Sequence, residues 1–305
     1  MAKRNFLDIE SIPVEKSDVV IVPFGLEKTV TFGRGTAKGP QRIIEVSPNL
    51  EAFDEELEAD VYKKVKISTL AEPVIEKTQE AAIGQVEQIA DEIYKLDKFP
   101  LVLGGEHSLT LGALRAALKK YKEISILQFD AHADLRDEYE GSIFSHACVM
   151  RQCLKLNNVI LTQVGIRNIG TDTNEFGFWK QNQKRIKTFW AKDMKKWKIA
   201  EIVRSLGKNV YLTFDVDVFD SSLMPSTGTP EPGGLQWIQA MEILKAVASK
   251  KNIIGADVVE LAPIEGLAAP DFVAAKLVYK IIGYVFVSKV AEFGRAILAE
   301  AAKQS

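Results

Sequence analysis

The stretch Ile126-Leu127-Gln128-Phe129-Asp130-Ala131-His132-Ala133-Asp134 runs from an apolar strand signal straight into alternating acids around a histidine. A short apolar run of this kind reads as a buried strand. Alternate residues of an extended segment project to one face, which sets Asp130, His132 and Asp134 together at the strand's carboxyl end. The pattern recurs downstream, where Val210-Tyr211-Leu212-Thr213-Phe214 closes on Asp215-Val216-Asp217 and brings Asp215 beside Asp217. A further cluster, Gly104-Gly105-Glu106-His107-Ser108, ends an apolar strand on paired glycines just where a helix pattern begins. The chain has only three histidines, His107, His132 and His146, and all fall in polar clusters at or just after strand ends.

Outward from these clusters, short apolar runs alternate with longer segments of helical period, the pattern of βαβ units and a parallel sheet. About eight strands are expected, near residues 19–23, 65–68, 100–103, 125–129, 159–165, 186–189, 210–216 and 253–259. Between them lie helices such as residues 74–96, where Ile75, Ala82, Val86, Ile89, Ile93 and Leu96 follow three- and four-residue steps. No linker-like tract or internal repeat interrupts the 305 residues, so one domain spanning 1–305 is the economical expectation. The irregular segments are 33–40, 136–144, 220–235 and 261–270, and three of them follow strands directly. In an open parallel sheet the ligand crevice lies at the carboxyl ends of strands, and these loops should wall it.

Composition narrows the class of function. Hydrophobic residues make up 47% and charged residues 26%, ordinary globular usage that excludes a disordered or fibrous chain. A net charge of -2 gives none of the basic footprint expected of a nucleic-acid binder. The start of the chain lacks a secretory signal pattern. The longest apolar stretch, residues 281–287, is too short to span a bilayer, so no membrane partner and a cytoplasmic location are expected. Cys148 and Cys153, five apart on a helix, point in different directions and read as reduced packing residues.

Asp130, Asp134, Asp215 and Asp217 crowded at the end of a buried sheet would repel one another and lose hydration unless cations neutralise them. With His107 and His132 they make six candidate ligands, too many for one zinc and suited to two metals. Mixed imidazole and carboxylate ligation favours manganese, iron or zinc over calcium or magnesium. Two ions held ~3.5–4 Å apart bind and acidify one bridging water, giving hydroxide at neutral pH. The competing reading of each piece alone is structural, since an Asp-x-Asp at a strand end commonly caps a helix. The three clusters together, using two of the three histidines, favour a metal site.

Together these motifs resemble the ureohydrolases, the family of arginase and agmatinase, and the likeness runs nearly end to end. It rests on Gly33-Arg34-Gly35, Gly39-Pro40 with Ile43-Ile44, the clusters at 104–108 and 130–134, and Ser145-His146. It extends through Phe214-Asp215-Val216-Asp217-Val218-Phe219-Asp220, Gly228-Thr229-Pro230-Glu231-Pro232-Gly233-Gly234 and Asp257-Val258-Val259-Glu260-Leu261-Ala262-Pro263. The resemblance implies a three-layer α/β/α fold with a mainly parallel eight-stranded sheet, two manganese ions per chain and a homo-trimer or hexamer. It implies that His107, Asp130, Asp134 and Asp215 hold one or other metal, with His132 and Asp217 completing the pair. Ser221 stands where many members have Pro, and Ser226 where Gly is common. No ligand position departs.

The implied reaction is hydrolysis of a guanidinium compound to urea and an amine. Its planar, delocalised carbon needs a strong nucleophile, and the leaving nitrogen needs a proton. By family likeness Asp134 carries that proton, and Glu260 takes the guanidinium through a two-pronged charge-assisted contact. His146, after a polar loop, suits proton shuttling and substrate contact at the mouth of the site. Glu106 reads as a supporting or helix-start acid, Asp220 as a loop cap, and Glu231, between two prolines, as a loop brace or part of the rim.

The stretch Leu135-Arg136-Asp137-Glu138-Tyr139-Glu140-Gly141 lacks the Asn, Thr and Ser with which arginases hold a carboxylate, and looks like the agmatinase version. Asp137, Glu138 and Glu140 would attract a free ammonium, making agmatine, cleaved to putrescine and urea, the expected substrate. Arg136 could instead attract a carboxylate, which keeps arginine and guanidinobutyrate open. A non-catalytic regulatory member of the family would be expected to have lost a ligand, and none is lost.

Overall fold

The computed structural model describes residues 4–171 and 174–301, with side chains as far as Val287 in its last helix. Eight strands form the main sheet: β1 (Val19–Phe24), β2 (Ile67–Thr69), β3 (Phe99–Gly104), β4 (Ile124–Phe129), β5 (Val159–Val164), β6 (Ile186–Phe189), β7 (Asn209–Asp215) and β8 (Asn252–Val259). Their spatial order is β2-β1-β3-β8-β7-β4-β5-β6. Every neighbouring pair in it is parallel. Parallel strands need crossover connections, and the helices supply them. These are α1 (Gly39–Val46), α2 (Gln79–Lys95), α3 (Thr110–Lys120), α4 (Val149–Lys155), α5 (Glu175–Gln181), α6 (Ile199–Ser205), α7 (Trp237–Lys250) and α8 (Ala269–Ala301), besides a single turn at Val61–Lys64.

Successive strand residues point to opposite faces, and each face has its own helical layer. Leu101, Leu103, Leu212 and Phe214 pack with Ile43 of α1, Leu244 of α7 and Leu277 of α8. Val102, Ile126 and Tyr211 pack instead with Ile83 of α2, Leu114 of α3 and Met150 of α4. The result is the expected three-layer α/β/α sandwich. Burial on both faces explains why β1, Val-Val-Ile-Val-Pro-Phe, is an unbroken apolar run.

The strand order places the site. After β3 the chain crosses to build β4, β5 and β6, then returns so that β7 and β8 fill the gap between β3 and β4. In the resulting register Leu103, Val258, Phe214 and Phe129 lie in one row across four adjacent strands. The residues just beyond that row are the polar clusters of the sequence, so strand order and register bring them together.

Some boundaries differ from expectation. The helix expected from residue 74 begins at Gln79, with the Thr78 hydroxyl accepting the Ala81 N–H at 3.2 Å. Val74 is 92% exposed, so its apolar character misled the periodicity. The strand expected at 65–68 forms at Ile67–Thr69. β7 stops at Asp215, where a short 3₁₀ turn begins and the Asp215 side chain accepts the Asp217 N–H at 2.9 Å. Asp215 thus caps that turn while also facing the cluster. Both cysteines are free and buried, as expected.

Candidate active site

Four strand ends deliver the site. β3 leads through Gly105, whose missing Cβ would lie 2.0 Å from the Leu26 carbonyl oxygen, so only glycine admits this approach. Its carbonyl accepts the Glu260 N–H at 2.8 Å, and the Glu260 carboxylate accepts the His107 N–H at 2.7 Å. The end of β8 is thereby pinned to the end of β3. On the other side Asp217 accepts the Ala131 N–H at 2.9 Å, tying the end of β7 to the segment after β4.

The six ligand-type residues converge. His107 Nδ1 lies 3.2 Å from Asp130, 3.1 Å from Asp134 and 3.5 Å from Asp215. His132 Nδ1 lies 2.9 Å from Asp217 and 3.7 Å from Asp130. Two sets of donor atoms, His107 with Asp130 and Asp215, and Asp130 with His132 and Asp217, are each compact enough to hold an ion, and Asp130 belongs to both. Strict strand alternation does not produce this arrangement. β4 ends at Phe129, and Asp134 turns back toward His107 at φ 53°, a left-handed conformation.

The tautomer of His107 follows from its surroundings. Thr213 gives its hydroxyl hydrogen to Asp257 at 2.6 Å and so accepts from His107 Nε2 at 2.8 Å. The proton is therefore on Nε2, assigned by the network. Nδ1 is buried, has no hydrogen-bond partner among the described residues, and faces the carboxylate oxygens of Asp130, Asp134 and Asp215. Such an arrangement is repulsive unless a cation sits there. The donor set fits a metal pair on that observation.

The electrostatics agree in direction. Burial would lower both imidazoles, yet Asp130 and Asp134 lift His107, and Asp217 and Asp130 lift His132, well above the ordinary range. Burial and the Asp217 charge push Asp215 well up. Burial and Asp130 push Asp134 to about 7. Asp130 goes the other way, because contacts with His107 and His132 overcome its burial. The cluster holds more anionic oxygen than its two imidazoles answer.

His146 borders the same cleft, and burial holds its pKa below the ordinary imidazole value. Thr29 donates to Glu106 at 2.8 Å and faces His146 Nδ1 at 3.2 Å, which leaves Nε2 as the nitrogen free to act. Glu106 also accepts the Lys28 and Thr29 N–H groups and the Ser108 hydroxyl, so it organises the loop rather than the cluster. Asp220 accepts from Ser222 and from the Gly233 and Gly234 N–H groups, closing the 220–235 loop.

Asp137 and Glu138 are not brought to the cleft. Asp137 is 60% exposed and pairs with Arg151 at 3.2 Å and Lys155 at 3.7 Å. Beyond the left-handed Asp134, Leu135 is buried, Arg136 and Tyr139 border an adjoining cavity, and Asp137 and Glu138 are exposed. The wall they were expected to form is built by Arg136, Tyr139, Asn168, Glu175 and Glu231 around an adjoining cavity of about 190 Å³.

Supporting residues not singled out from sequence are Thr213, Asp257, Gln128, Gln163 and Arg167. Gln128 donates to Asp130 at 2.6 Å and accepts from Gln163 at 2.8 Å. The Arg167 guanidinium donates to the carbonyls of Asp217, Phe219 and Glu231. The available signal was a polar residue inside an otherwise apolar buried strand, as at Gln128, Thr213 and Asp257, because such a group must find a partner.

A family model described as the Arginase family matches residues 17–283. The chain belongs to the arginase family. It is 36% identical over 292 residues to an N(1)-aminopropylagmatine ureohydrolase of Synechocystis sp., covering 92% of this chain and 94% of the relative. It is 31% identical over 283 residues to an agmatinase of Pyrococcus horikoshii, covering 92% and 96%. The crystal structure of the agmatine ureohydrolase of Thermoplasma volcanium superposes with a TM-score of 0.81 at 28% identity, covering 90% of this chain and 92% of that one. This arginase-family chain is thus an arginase-fold hydrolase, agmatinase-like in sequence. No helix among its described residues is long and apolar enough to cross a membrane.

Proposed function

We propose that this protein hydrolyses a guanidinium compound with a cationic tail to urea and an amine, using two manganese ions. Agmatine and its N-aminopropyl derivative are the leading substrates, in keeping with the named activities of the relatives. The observation that carries the reading is the pair of donor sets sharing Asp130, with the unpartnered His107 Nδ1 among carboxylates. His107, Asp130, Asp134 and Asp215 on one side, and Asp130, His132 and Asp217 on the other, would hold the ions. Such a pair, when bound, supplies an acidified water as nucleophile.

The chain's own groups do the rest. Glu260 faces the cleft at φ 68°, one carboxylate oxygen held by the His107 N–H, in position to align a planar guanidinium. Asp134 and His146 border both the cleft and the adjoining cavity, where a proton must reach the leaving nitrogen. A carboxylate-bearing substrate is disfavoured because Arg136 is already stacked over the Tyr139 ring at 4.3 Å and leans toward Glu175. Trimeric or hexameric assembly and a cytoplasmic location remain part of the proposal.

Stripping the protein with a chelator and restoring manganese tests it. Urea release from agmatine should vanish and return with two ions per chain by elemental analysis. Full activity in metal-free protein would refute the metal assignment.

A further inference from the structure

The cavity of about 190 Å³ shares Thr31, His132, Asp134, His146 and Thr229 with the metal cleft, so it is the continuous path for whatever is attached to a bound guanidinium. Three charged side chains line it beyond the shared residues: Arg136, Glu175 and Glu231. They differ in how far their charge is already answered. Glu175 is buried and spends one oxygen on the Leu135 N–H at 2.8 Å and the other on the Gly170 N–H at 2.6 Å. Arg136 is committed to the Tyr139 ring and lies 3.9 Å from Glu175.

Glu231 is different. Its Oε1 accepts from the Asn168 side chain at 2.8 Å, while Oε2 takes no hydrogen bond among the described residues. It is also held in place. Pro230 and Pro232 flank it, and Arg167 grips its carbonyl at 2.8 Å. Asn168 is fixed to the segment carrying His132, since its N–H reaches the Ala131 carbonyl at 3.0 Å and its carbonyl accepts the Ala133 N–H at 3.1 Å. The Glu231 carboxylate is therefore a rigid, half-buried anion with one free oxygen, set a single side chain away from the metal-ligating segment.

We propose that Glu231 is the specificity residue for the substrate tail: its free carboxylate oxygen receives the ammonium carried beyond the guanidinium, and so selects guanidinoalkyl-amines over their uncharged or carboxylated analogues. This rests on the ureohydrolase reading above. A secondary ammonium can donate to the same oxygen and continue outward, because the neighbouring Pro232 and Gly233 are exposed at the rim. Agmatine and an N-aminopropyl derivative are thus both accommodated by one contact.

The test is Glu231→Gln, which removes the charge and keeps an oxygen for Asn168. Urea release by manganese-loaded protein is measured with agmatine, its N-aminopropyl derivative, butylguanidine and guanidinobutyrate. The KM for the two cationic substrates should rise roughly tenfold, equivalent to about 1.4 kcal/mol, with kcat nearly unchanged. Butylguanidine, lacking the tail charge, should keep its KM, and guanidinobutyrate should improve. An unchanged ratio of agmatine to butylguanidine would overturn the assignment. So would a collapse of that ratio in Asp137→Asn but not in Glu231→Gln. Calorimetric binding of agmatine reads the same contact without turnover. A roughly tenfold weaker Kd in the variant supports the role of Glu231 even if the parent released no urea, in which case only the ureohydrolase reading would fall.

Discussion

Replacing Thr213 by valine tests how the fold prepares His107 for a metal. The hydroxyl accepts from His107 Nε2 at 2.8 Å and donates to Asp257 at 2.6 Å, in a place where His107, Thr213 and Asp257 are all buried. Valine keeps the shape but strands the Nε2–H and removes one of three hydroxyl donors to Asp257, leaving Thr110 and Tyr211, each at 2.9 Å. A lost hydrogen bond to a charged group costs about 1.5–3 kcal/mol, and a stranded buried donor a further ~1–3 kcal/mol. Some relaxation is expected, so we predict a loss of about 3–4 kcal/mol in metal-free stability. Groups that orient a ligating histidine typically contribute ~10–100-fold to metal affinity, and manganese Kd should weaken by that factor. The assay is competition with a chromogenic chelator, alongside thermal unfolding. Thr213→Ser, which restores both hydrogen bonds, should recover affinity and stability together. A valine variant that binds manganese as tightly as the parent would refute the claim that Thr213 sets the His107 tautomer.

Three further outcomes follow from the site and its supports. Asp130→Ala removes the group shared by both donor sets, and Asp217→Ala the partner of His132. Elemental analysis should find fewer than two manganese ions per chain in each, and two tightly held ions in both variants would contradict the ligand assignment. His146→Asn should retain the metals and lower kcat more than it raises KM, because proton traffic rather than ground-state binding is impaired; an unchanged kcat from pH 6 to 9 removes His146 from the mechanism. Far from the site, burial would raise the Glu56 carboxyl, but Lys245, Lys280 and Tyr284 hold it down from 4.5 to about 2. A depressed carboxyl stabilises the fold above its unfolded value, and that contribution is lost as pH falls from 4.5 toward 2. After allowance for solvent screening of a side chain 33% exposed, Glu56→Gln should cost about 1–2 kcal/mol at pH 7. The difference from the parent should close in acid, and a gap constant down to pH 2 would contradict this.

The parts of the fold that were legible in sequence are those governed by local pattern. Buried parallel strands are apolar runs, and all eight could be placed within a few residues, several of them because their ends coincide with Gly or acidic clusters. Strand order was not legible from periodicity, since nothing local to β7 and β8 says that they insert between β3 and β4. The family resemblance implied the layers and the parallel sheet, while the order of the strands is read from the structure alone. The six ligand-type residues stood out because carboxylates and imidazoles gather at successive strand ends, whereas the role of Glu260 was supplied by the family resemblance. Asp137 and Glu138 were read as lining residues from their charge and from the likeness of their stretch to agmatinases. Charge does not say which way a loop side chain points: both are exposed, and Asp137 is paired with Arg151 and Lys155. Asn168 and Glu231 were not singled out as tail-contacting residues, because their meeting depends on a hydrogen bond between loops 63 residues apart. The start of α2 was misjudged for a simpler reason. Val74 and Ile75 extend the apolar period, but Thr78 is the residue that supplies the cap.

The most direct test of the central claim is a comparison of agmatine with arginine in manganese-loaded protein, reading urea release over a range of concentrations. The two substrates differ by one carboxylate. Placing that anion in a cavity whose uncommitted charge is the Glu231 carboxylate should cost several kcal/mol, where ~1.4 kcal/mol is already a factor of ten. We predict kcat/KM for agmatine at least ~100-fold above that for arginine. Arginine turned over as well as agmatine, or better, would contradict the cationic-tail assignment and return Arg136 as a carboxylate anchor.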